Sequence, residues 1–482
     1  MNTCRKLLSA LLCLALLASV LPLGVQPARA DTLAGNGTPN DPYLIEDADD
    51  LIEFARRVNN NDPINEKEGE LNAWAELKKD IDLENTSWTP IAYNYEHPYS
   101  GTFDGNNHTI SGLSINNSST NYGYFGLFGA VGEGGTVTNL TVEGNINIDS
   151  EYEVNAGGVV GENAGNVSNC ANKAAITVTA DTAYIGGVIG DNRGSLTNCS
   201  NSGAVAGTGQ TAYVGGIVGS NSHTEIVMGS VENCYNTGTV TATGSNAVAG
   251  GVIGVNLNTV SSCYNTGTVT GTTTAGGVVG ENIYGTSPGT PGTVTSCYNI
   301  GKVTAPSEDA TIGGVVGANS NGTINGTVNG CYYLNTAAGS AIGDGSGTVE
   351  NVASKTFTQF NSGEVTWLLQ DALGPSASQV WGQDIDTDKY PVLTSDPDKK
   401  VYQVTFMNGG STFATDYANS GDNVAFPKPD PTSENKEFIR WVDERTDYTD
   451  PITVNGRDLI VDAWFVEKAP AEGGGYFINF TT

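Results

Sequence analysis

The chain has 482 residues, of which 63 are glycine, 52 are aspartate or glutamate, and only 21 are lysine or arginine. Its formal net charge of −31 argues against binding to nucleic acids or anionic membranes, because neutralising phosphates requires a basic surface. A composition with 38% hydrophobic and 15% charged residues argues against a disordered chain. Abundant glycine without a Gly-X-Y period excludes collagen and predicts many tight turns.

The first thirty residues have the pattern of a secretory signal peptide. Two basic residues precede the apolar run 7–23, and a small-residue site ends at Ala30. We therefore expect residues 1–30 to be a signal peptide that is cleaved after Ala30. The mature chain contains no further segment long and apolar enough to be expected to span a bilayer. The sequence thus predicts a secreted or cell-surface protein.

A motif of the form Gly-Gly-aliphatic-aliphatic-Gly recurs six times in the middle of the chain. Its copies begin at Gly157, Gly186, Gly215, Gly250, Gly276 and Gly313. Each copy is followed by one cysteine, namely Cys170, Cys199, Cys234, Cys263, Cys297 and Cys331. The distance from the last glycine of a motif to its cysteine varies between 9 and 17 residues. The distance from a cysteine to the first glycine of the next motif is 16 residues, or 13 in one case. Insertions confined to one arm of a repeat are typical of a solenoid with loops on one face.

The repeat unit has the character of strands, since β-branched runs alternate with Asn, Gly and Ser turns. We predict that each unit is one coil, with three short strands, of a right-handed parallel β-helix of roughly nine or ten coils. Stacking would align core ladders three residues before and six residues after each cysteine: Val167, Leu196, Val231, Val260, Val294 and Val328, and Ile176, Val205, Val240, Val269 and Val303. Two residues after the cysteine we predict an asparagine ladder: Asn172, Asn201, Asn236, Asn265 and Asn299. One residue after it, the later coils carry tyrosine: Tyr235, Tyr264, Tyr298 and Tyr332.

The repeated cysteines could suggest redox or metal chemistry. There is no Cys-x-x-Cys pair and no histidine at ligand spacing, so we expect no metal site. An earlier unit has Leu140 in the cysteine position, which indicates a position in the core. Stacked cysteines would fall within the Cα range of a disulfide but would point side by side. A ladder of buried thiols and a ladder with some disulfides both remain open.

With these motifs the chain resembles the GLUG-motif family of bacterial surface and secreted proteins, which also occurs beside immunoglobulin A proteases. Residues 125–129, Phe-Gly-Leu-Phe-Gly, match the sequence pattern of that motif. The resemblance implies a capped parallel β-helix over 31–394, closed by a segment that contains Trp367 and Trp381. Residues 47–58 are predicted to form an amphipathic helix that covers the first coil. Its apolar face would comprise Leu51, Ile52, Phe54, Ala55 and Val58.

Residues 401–467 resemble a different module, the Listeria–Bacteroides (internalin B-type) repeat. The matching residues include 404–406, the Asn-Gly-Gly turn 408–410, Trp441 and Trp464. The resemblance implies a small β-grasp-like module, so that the whole chain is dominated by β structure. The stretch 395–400, rich in Pro, Asp and Lys, is the predicted linker, and 468–482 is the predicted tail.

Many parallel β-helices are polysaccharide lyases or hydrolases, whose sites need clustered carboxylates, often beside a basic residue. Between residues 122 and 357 there are 15 acidic residues, which fall mostly in turns and insertions rather than at one ladder position. The basic residues there are Lys173, Arg193, Lys302 and Lys355. Asp104 is the best single carboxylate candidate, although its Thr-Phe-Asp-Gly-Asn context also fits a turn. None of His97, His108 and His223 belongs to an H-E-x-x-H motif, so we expect no enzyme and no catalytic residue.

An Asp-x-Asp-x-Asp run at Asp384, Asp386 and Asp388 could offer oxygen ligands to Ca²⁺. Lys389 and Ser395 stand where a calcium loop would have Gly and Glu, so we expect a solvated turn, with no metal and no cofactor. The insertions 220–229, 282–292 and 318–326 are the expected contact surface. We therefore expect a non-enzymatic protein that binds surface glycans or host or matrix proteins, and the alternative is a polysaccharide lyase or glycoside hydrolase.

Overall fold

The computed structural model describes residues 33–60, 70–119, 123–223, 228–283, 291–319, 326–345, 347–385, 387–443 and 446–468. The predicted signal peptide, Asp386 and residues 469–482 lie outside the described residues. The central parts of the three predicted contact loops, 224–227, 284–290 and 320–325, also lie outside them.

The predicted parallel β-helix is confirmed: the chain forms a parallel β-solenoid of about nine turns, followed by a small β module. Its strands stack into three columns, which we name faces A, B and C. Face A comprises Gly123–Phe125, Val154–Gly157, Thr182–Gly186, Thr211–Gly215, Asn246–Gly250, Thr274–Gly276 and Thr311–Gly313. Face B comprises Phe128–Val131, Val160–Asn163, Ile189–Asn192, Val218–Asn221, Ile253–Asn256, Val279–Asn282, Val316–Ala318 and Ile342–Asp344.

Face C is the longest column and carries the cysteines. It comprises Tyr43–Ile45, Ala75–Leu77, Ile81–Asp82, Thr102–Ser119, Thr136–Ser150, Asn166–Asn172, Ala175–Thr179, Ser195–Thr197, Ser200–Asn201, Val205–Thr208, Ser230–Glu232, Tyr235–Asn236, Val240–Thr243, Thr259–Ser261, Tyr264–Asn265, Val269–Gly271, Thr293–Thr295, Tyr298–Asn299, Val303–Thr304, Thr327–Asn329, Tyr332–Leu334, Thr348–Glu350 and Ala353–Lys355. Its strands are all paired in parallel, in register from one coil to the next, as Val167 is with Leu196.

Each coil passes from face A through the Gly-Gly corner to face B and then to face C. The glycines are required by close approach, because a Cβ on Gly158 would lie 2.1 Å from Oδ1 of Asn172. Most coils have five strands rather than the predicted three, since face C is interrupted twice. One interruption is a left-handed residue immediately before the cysteine, such as Asn198 with φ of 55°, which the repeat spacing alone does not reveal.

The core of the solenoid consists of the predicted ladders. Every residue of the two apolar ladders predicted three positions before and six positions after the cysteines is buried. Helix α1, Ala48–Asn59, begins after Asp47, whose side chain accepts a hydrogen bond from Asp50 N. Leu51, Phe54, Ala55 and Val58 pack into this core as predicted. The prediction for Ile52 was wrong: it is 43% exposed, because it lies on the flank of the helix at the edge of a cleft.

A closing segment packs against the side of the last coils. It contains helix α2, Phe357–Asn361, helix α3, Glu364–Ala372, and the antiparallel strand pair Trp381–Gly382 and Val392–Leu393. Phe360, Leu369 and Trp381 form a separate apolar cluster with Tyr298 and Tyr332 of face C. The tyrosines of the later coils therefore mark where this segment docks.

The C-terminal module begins after a 3₁₀ turn, Pro397–Lys399, and has a mixed four-stranded sheet. Its strands are Val401–Asn408, Ser411–Asn419, Lys436–Val442 and Leu459–Glu467, with a further pair Asn423–Val424 and Ile452–Thr453. The first and last long strands pair in parallel at the centre of the sheet, and Trp441 and Phe406 fill its core. None of the helices in the described part of the chain has the length and apolar character of a membrane span.

Candidate functional site

The three predicted contact loops leave the solenoid at one corner, where face B ends. Each face-B strand of the six repeats ends at or next to an asparagine that is completely buried. These residues form a ladder in which each Nδ2 donates to Oδ1 of the next asparagine at 2.8 to 3.0 Å. The corner ladder comprises Asn163, Asn192, Asn221, Asn256, Asn282 and Asn319. The sequence analysis missed it, although an Asn two residues after the last Gly of every motif was a sufficient signal.

The corner ladder closes short turns and long insertions in the same way. In a short coil, Nδ2 of Asn192 donates to Gly194 O at 3.1 Å, across a turn with one intervening residue. In longer coils the same bond joins Asn282 to Gly292 O at 3.0 Å and Asn319 to Gly326 O at 3.2 Å. An insertion therefore enters a coil without disturbing its register, and lengthening a loop costs little closure entropy. The corner ladder is a fixed base for loops of variable length.

The predicted asparagine ladder on face C is confirmed. Each side chain donates to the next asparagine at 2.8 Å and is buried. Each also closes a turn onto its own coil, as Asn236 does by donating to Gly238 O and accepting from Gly238 N. Asn172 to Asn299 therefore satisfy the buried backbone of a turn, which is a structural role.

Of the two arrangements left open for the cysteines, the structure has the thiol ladder. All six cysteines are free and buried. The backbone N–H of Cys170 points to Sγ of Cys199 at 3.3 Å, and the Cys199 thiol donates to Thr197 O at 3.2 Å. Burial raises the pKa of the Cys199, Cys263 and Cys331 thiols well above the ordinary value. These groups are packed in the core as small apolar side chains and are not poised as nucleophiles.

Three acidic residues occupy equivalent positions on face B, which corrects the expectation that the carboxylates share no ladder position. Glu162, Asp191 and Glu281 lie in one column. Arg193 donates to Glu162 at 3.0 Å and to Asp191 at 2.8 Å, and the Ser222 hydroxyl donates to Asp191 at 2.8 Å. The repeat contained the signal for this column, because Glu162, Asp191 and Glu281 each come directly after the last glycine of a motif.

In this column Glu162 and Asp191 belong to a partly buried ion-pair network with Arg193, whereas Glu281 lies three coils beyond Asp191 and burial raises its pKa. Burial raises the pKa of Glu162 despite the neighbouring Arg193. Burial lowers the pKa of Arg193, but the carboxylates of Asp191 and Glu162 outweigh that effect and raise it overall. One guanidinium thus neutralises two carboxylates, and both carboxylates are engaged within the protein.

The remaining candidate carboxylates are held by local contacts. Asp104 accepts hydrogen bonds from Asn106 N at 2.8 Å and from Asn139 Nδ2 at 3.0 Å, the geometry of a turn. Asp388 accepts from Asp384 N at 2.9 Å and pairs with Lys399 at 2.7 Å. Within the described residues, no three His, Cys, Asp or Glu side chains are grouped so that they could hold a metal ion.

The fold and its corners define a class of protein: a parallel β-solenoid with glycine corners and asparagine ladders. A family model of the GLUG motif matches residues 210–241. The match spans one coil, from face-A strand Thr211–Gly215 through the corner residue Asn221 to Val240 on face C. The motif is therefore the sequence signature of a coil of this solenoid.

Two curated proteins are similar to parts of the chain. Halomucin of Haloquadratum walsbyi is 35% identical over 141 residues, which cover 28% of this chain and 1% of halomucin. A protein of Evansella cellulosilytica, proposed to be a Gly-rich membrane protein, is 31% identical over 169 residues, 34% of this chain and 18% of that protein. The chain thus spans only a small part of either relative.

One solved structure, proposed to be an immunoglobulin A1 protease from Bacteroides ovatus, resembles the chain with a TM-score of 0.45 and 18% identity. The alignment covers 75% of this chain and 95% of that structure. At this level the similarity carries no argument about activity.

Proposed function

We propose that the protein is an exported, non-enzymatic surface or secreted protein that adheres to glycans or matrix proteins through the loops at the corner ladder. The observation that carries this proposal is the shared origin of the three insertions. They begin at the same corner, directly after Asn221, Asn282 and Asn319, so that insertions of different length share one origin on the solenoid. Binding residues commonly lie on loops that a rigid scaffold positions.

Several observations support the surface location. Both curated relatives have names that place them among surface or membrane-type proteins. The sequence of residues 1–30 has the signal-peptide pattern described above.

We assign 401–467 as a Listeria–Bacteroides repeat on its residue pattern, as part of this same proposal.

The non-enzymatic part of the proposal rests on the state of the carboxylates. Asp104 is held in a turn, and Glu162 and Asp191 are paired with Arg193. General acid–base catalysis on a sugar needs two carboxyl groups that face a substrate, one as acid and one as base or nucleophile. The engaged carboxylates of this solenoid do not offer such a pair.

The test compares the secreted chain with a variant whose loops are trimmed. Residues 222–228, 283–291 and 320–325 are each replaced by one residue, as in the natural short turn Asn192-Arg193-Gly194. On glycan and matrix-protein arrays the untrimmed chain is expected to bind, and the trimmed chain is expected to lose its matrix-protein ligands and the glycans that the loops contact. Equal thermal melting of the two shows that the solenoid is intact.

Retention of every ligand by the trimmed variant would contradict the loops as contact surface. Turnover of a polysaccharide that Asp104→Asn or Glu162→Gln abolishes would instead establish a lyase or hydrolase. N-terminal sequencing of the secreted product, expected to start at Asp31, tests the export step separately.

A further inference from the structure

A cleft lies at the first coils, far along the chain from the three loops. Helix α1 forms one wall, and the segment 86–93, which crosses the surface between helix and solenoid, forms the other. The cleft has two lobes of about 460 and 310 Å³. Both lobes are lined by Trp88, Thr89 and Tyr93, so they form one continuous surface. These volumes are in the range of small-molecule binding sites.

The crossing segment is held rigidly. The side chain of Asn59 donates to Pro90 O at 3.0 Å and accepts from Ala92 N at 2.7 Å. Trp88 donates its indole N–H to Leu127 O at 3.0 Å. Ala92 has a positive φ of 53°, a strained conformation for a non-glycine residue. Tyr93 is therefore presented to solvent from a preorganised backbone, which reduces the entropic cost of binding.

Further aromatic rings, two of them exposed and three half-buried, continue from this segment along the solenoid. Tyr93 and Tyr95 are 54% and 57% exposed, and the ring of Tyr95 lies 5.7 Å from that of Tyr124. Tyr124 occupies the same outward-facing position of face A as Tyr184 and Tyr213, whose rings stack at 5.5 Å. These five tyrosines form what we name the tyrosine row. Tyr184 and Tyr213 lie one coil apart, whereas Tyr124 and Tyr184 lie two coils apart with Asn155 between them.

The polar groups that line the smaller lobe are uncharged, whereas Tyr124 and Tyr184 lie near Glu153 and the ion pairs of Arg193. Ser87, Thr89, Asn116 and Asn117 line the smaller lobe, where the described residues include no charged side chain. In the larger lobe the charged residue among those described is Arg56, which is paired with Glu53 at 2.7 Å.

Asn155 lies between Tyr124 and Tyr184 in the face-A ladder and is 4% exposed. Its Oδ1 has no hydrogen-bond partner within the described residues, whereas buried acceptors are usually satisfied. This oxygen is enclosed by the protein itself, so it is not part of the surface that a ligand contacts.

The ligand that fits this surface has flat apolar faces to lie on the exposed rings of Tyr93 and Tyr95, and hydroxyl groups to bond with amides and hydroxyls. An acidic ligand is disfavoured, because Arg56 and Arg193 are already paired with carboxylates and the chain has a net charge of −31. We propose that the cleft and the adjoining rings of Tyr93, Tyr95 and Tyr124 bind a neutral, unbranched polysaccharide along the side of the first coils. This inference names the glycan partner of the proposed adhesive function but assigns it to a surface separate from the loops.

The experiment is affinity electrophoresis of the whole chain in gels that contain soluble unbranched glucan, mannan or xylan. We expect at least one of these neutral polymers to retard the chain, and polygalacturonate, an acidic polymer, not to do so. The double variant Tyr93→Ala/Tyr95→Ala is expected to bind about tenfold more weakly or worse. Tyr93→Phe/Tyr95→Phe keeps the rings and is expected to retain most of the binding.

Trp464→Ala is the matched control, because Trp464 is a 50% exposed aromatic residue of the C-terminal module. It is expected to bind like the unchanged chain. The inference is overturned if no neutral polymer retards the chain, if the Tyr93→Ala/Tyr95→Ala variant binds equally, or if polygalacturonate binds more tightly. The loop-trimmed variant separates the two proposals: it keeps neutral-glycan binding if this inference holds, whatever happens to adhesion.

Discussion

Trp381 donates its indole N–H to the hydroxyl of Ser296 at 2.7 Å, and both residues are buried. The same hydroxyl donates to Leu369 O at 2.8 Å, so one serine of face C anchors two parts of the closing segment. The ring of Trp381 lies 5.5 Å from Tyr298 and 6.2 Å from Tyr264. The closing segment is therefore attached to the side of the late coils by an aromatic cluster and buried hydrogen bonds.

This attachment predicts that Trp381→Ala strongly lowers the stability of the protein. The substitution removes a buried aromatic side chain and leaves the Ser296 hydroxyl without its donor, so we expect a loss of about 3–5 kcal/mol in stability. Chemical denaturation followed by fluorescence, with limited proteolysis of residues 357–393, measures it. Trp464→Ala, at an exposed position, should change stability by less than about 0.5 kcal/mol. Equal effects of the two substitutions would contradict the docking described here.

The face-C asparagine ladder predicts that removal of the Asn236 side chain lowers the stability of the protein. Its side chain donates to Asn265 Oδ1 and Gly238 O, both at 2.8 Å, and accepts from Gly238 N at 3.1 Å. Asn236→Ala leaves these buried groups unsatisfied, at about 1–3 kcal/mol each, so we expect destabilisation of about 2 kcal/mol or more. Asn246→Ala, at an exposed position, is the control. Similar urea midpoints for the two variants would rule out this role.

The thiol ladder predicts that the cysteines are unreactive in the folded protein. In a chain that starts at Asp31, the cysteines are the six of the ladder, since Cys4 and Cys13 lie in the predicted signal peptide. We expect almost no reaction with a thiol reagent under native conditions, because all six thiols are buried in the core and a reagent cannot reach them. After unfolding without reductant, all six should react. A lower count would show disulfides instead.

The ion pairs of helix α1 predict that Glu53 contributes to stability at neutral pH and that this contribution is lost in acid. The hydrogen bonds from Arg56 lower the pKa of Glu53 from 4.5 to about 2, against the effect of burial and with a further bond from Arg57. A lowered folded-state pKa contributes stability that is present above pH 4.5 and is lost as the pH falls through about 2. Glu53→Gln should therefore melt earlier than the unchanged chain at pH 7.

The measurement for Glu53 is the melting temperature of both chains between pH 7 and pH 2. The difference between them is expected to shrink below pH 4.5 and to vanish near pH 2. Glu96→Gln, an exposed substitution outside the helix, serves as the control and should show no such convergence. A difference that stays constant with pH would contradict the ion-pair explanation.

Much of the solenoid was predictable because the same residue types recur at equivalent positions of each coil. The Gly-Gly motif, the buried valine at position 167, the cysteine at 170 and the asparagine at 172 recur at nearly constant spacing. Only a stacked β coil places such recurrences in register. The corner ladder was equally present in the sequence, as an Asn two residues after each motif, and was missed although no structural information was needed to see it.

The sequence by itself determined the coil, its core ladders and the arm that takes insertions, because a repeat imposes the same contacts on every copy. Only the tertiary structure decided which distant residues meet. Trp381 reaches Ser296 across 85 positions, and Glu162, Asp191 and Arg193 come together through the stacking of neighbouring coils. The cleft likewise exists because Asn59 of helix α1 holds Pro90 and Ala92. Such contacts depend on the path of the whole chain, which local pattern and spacing do not contain.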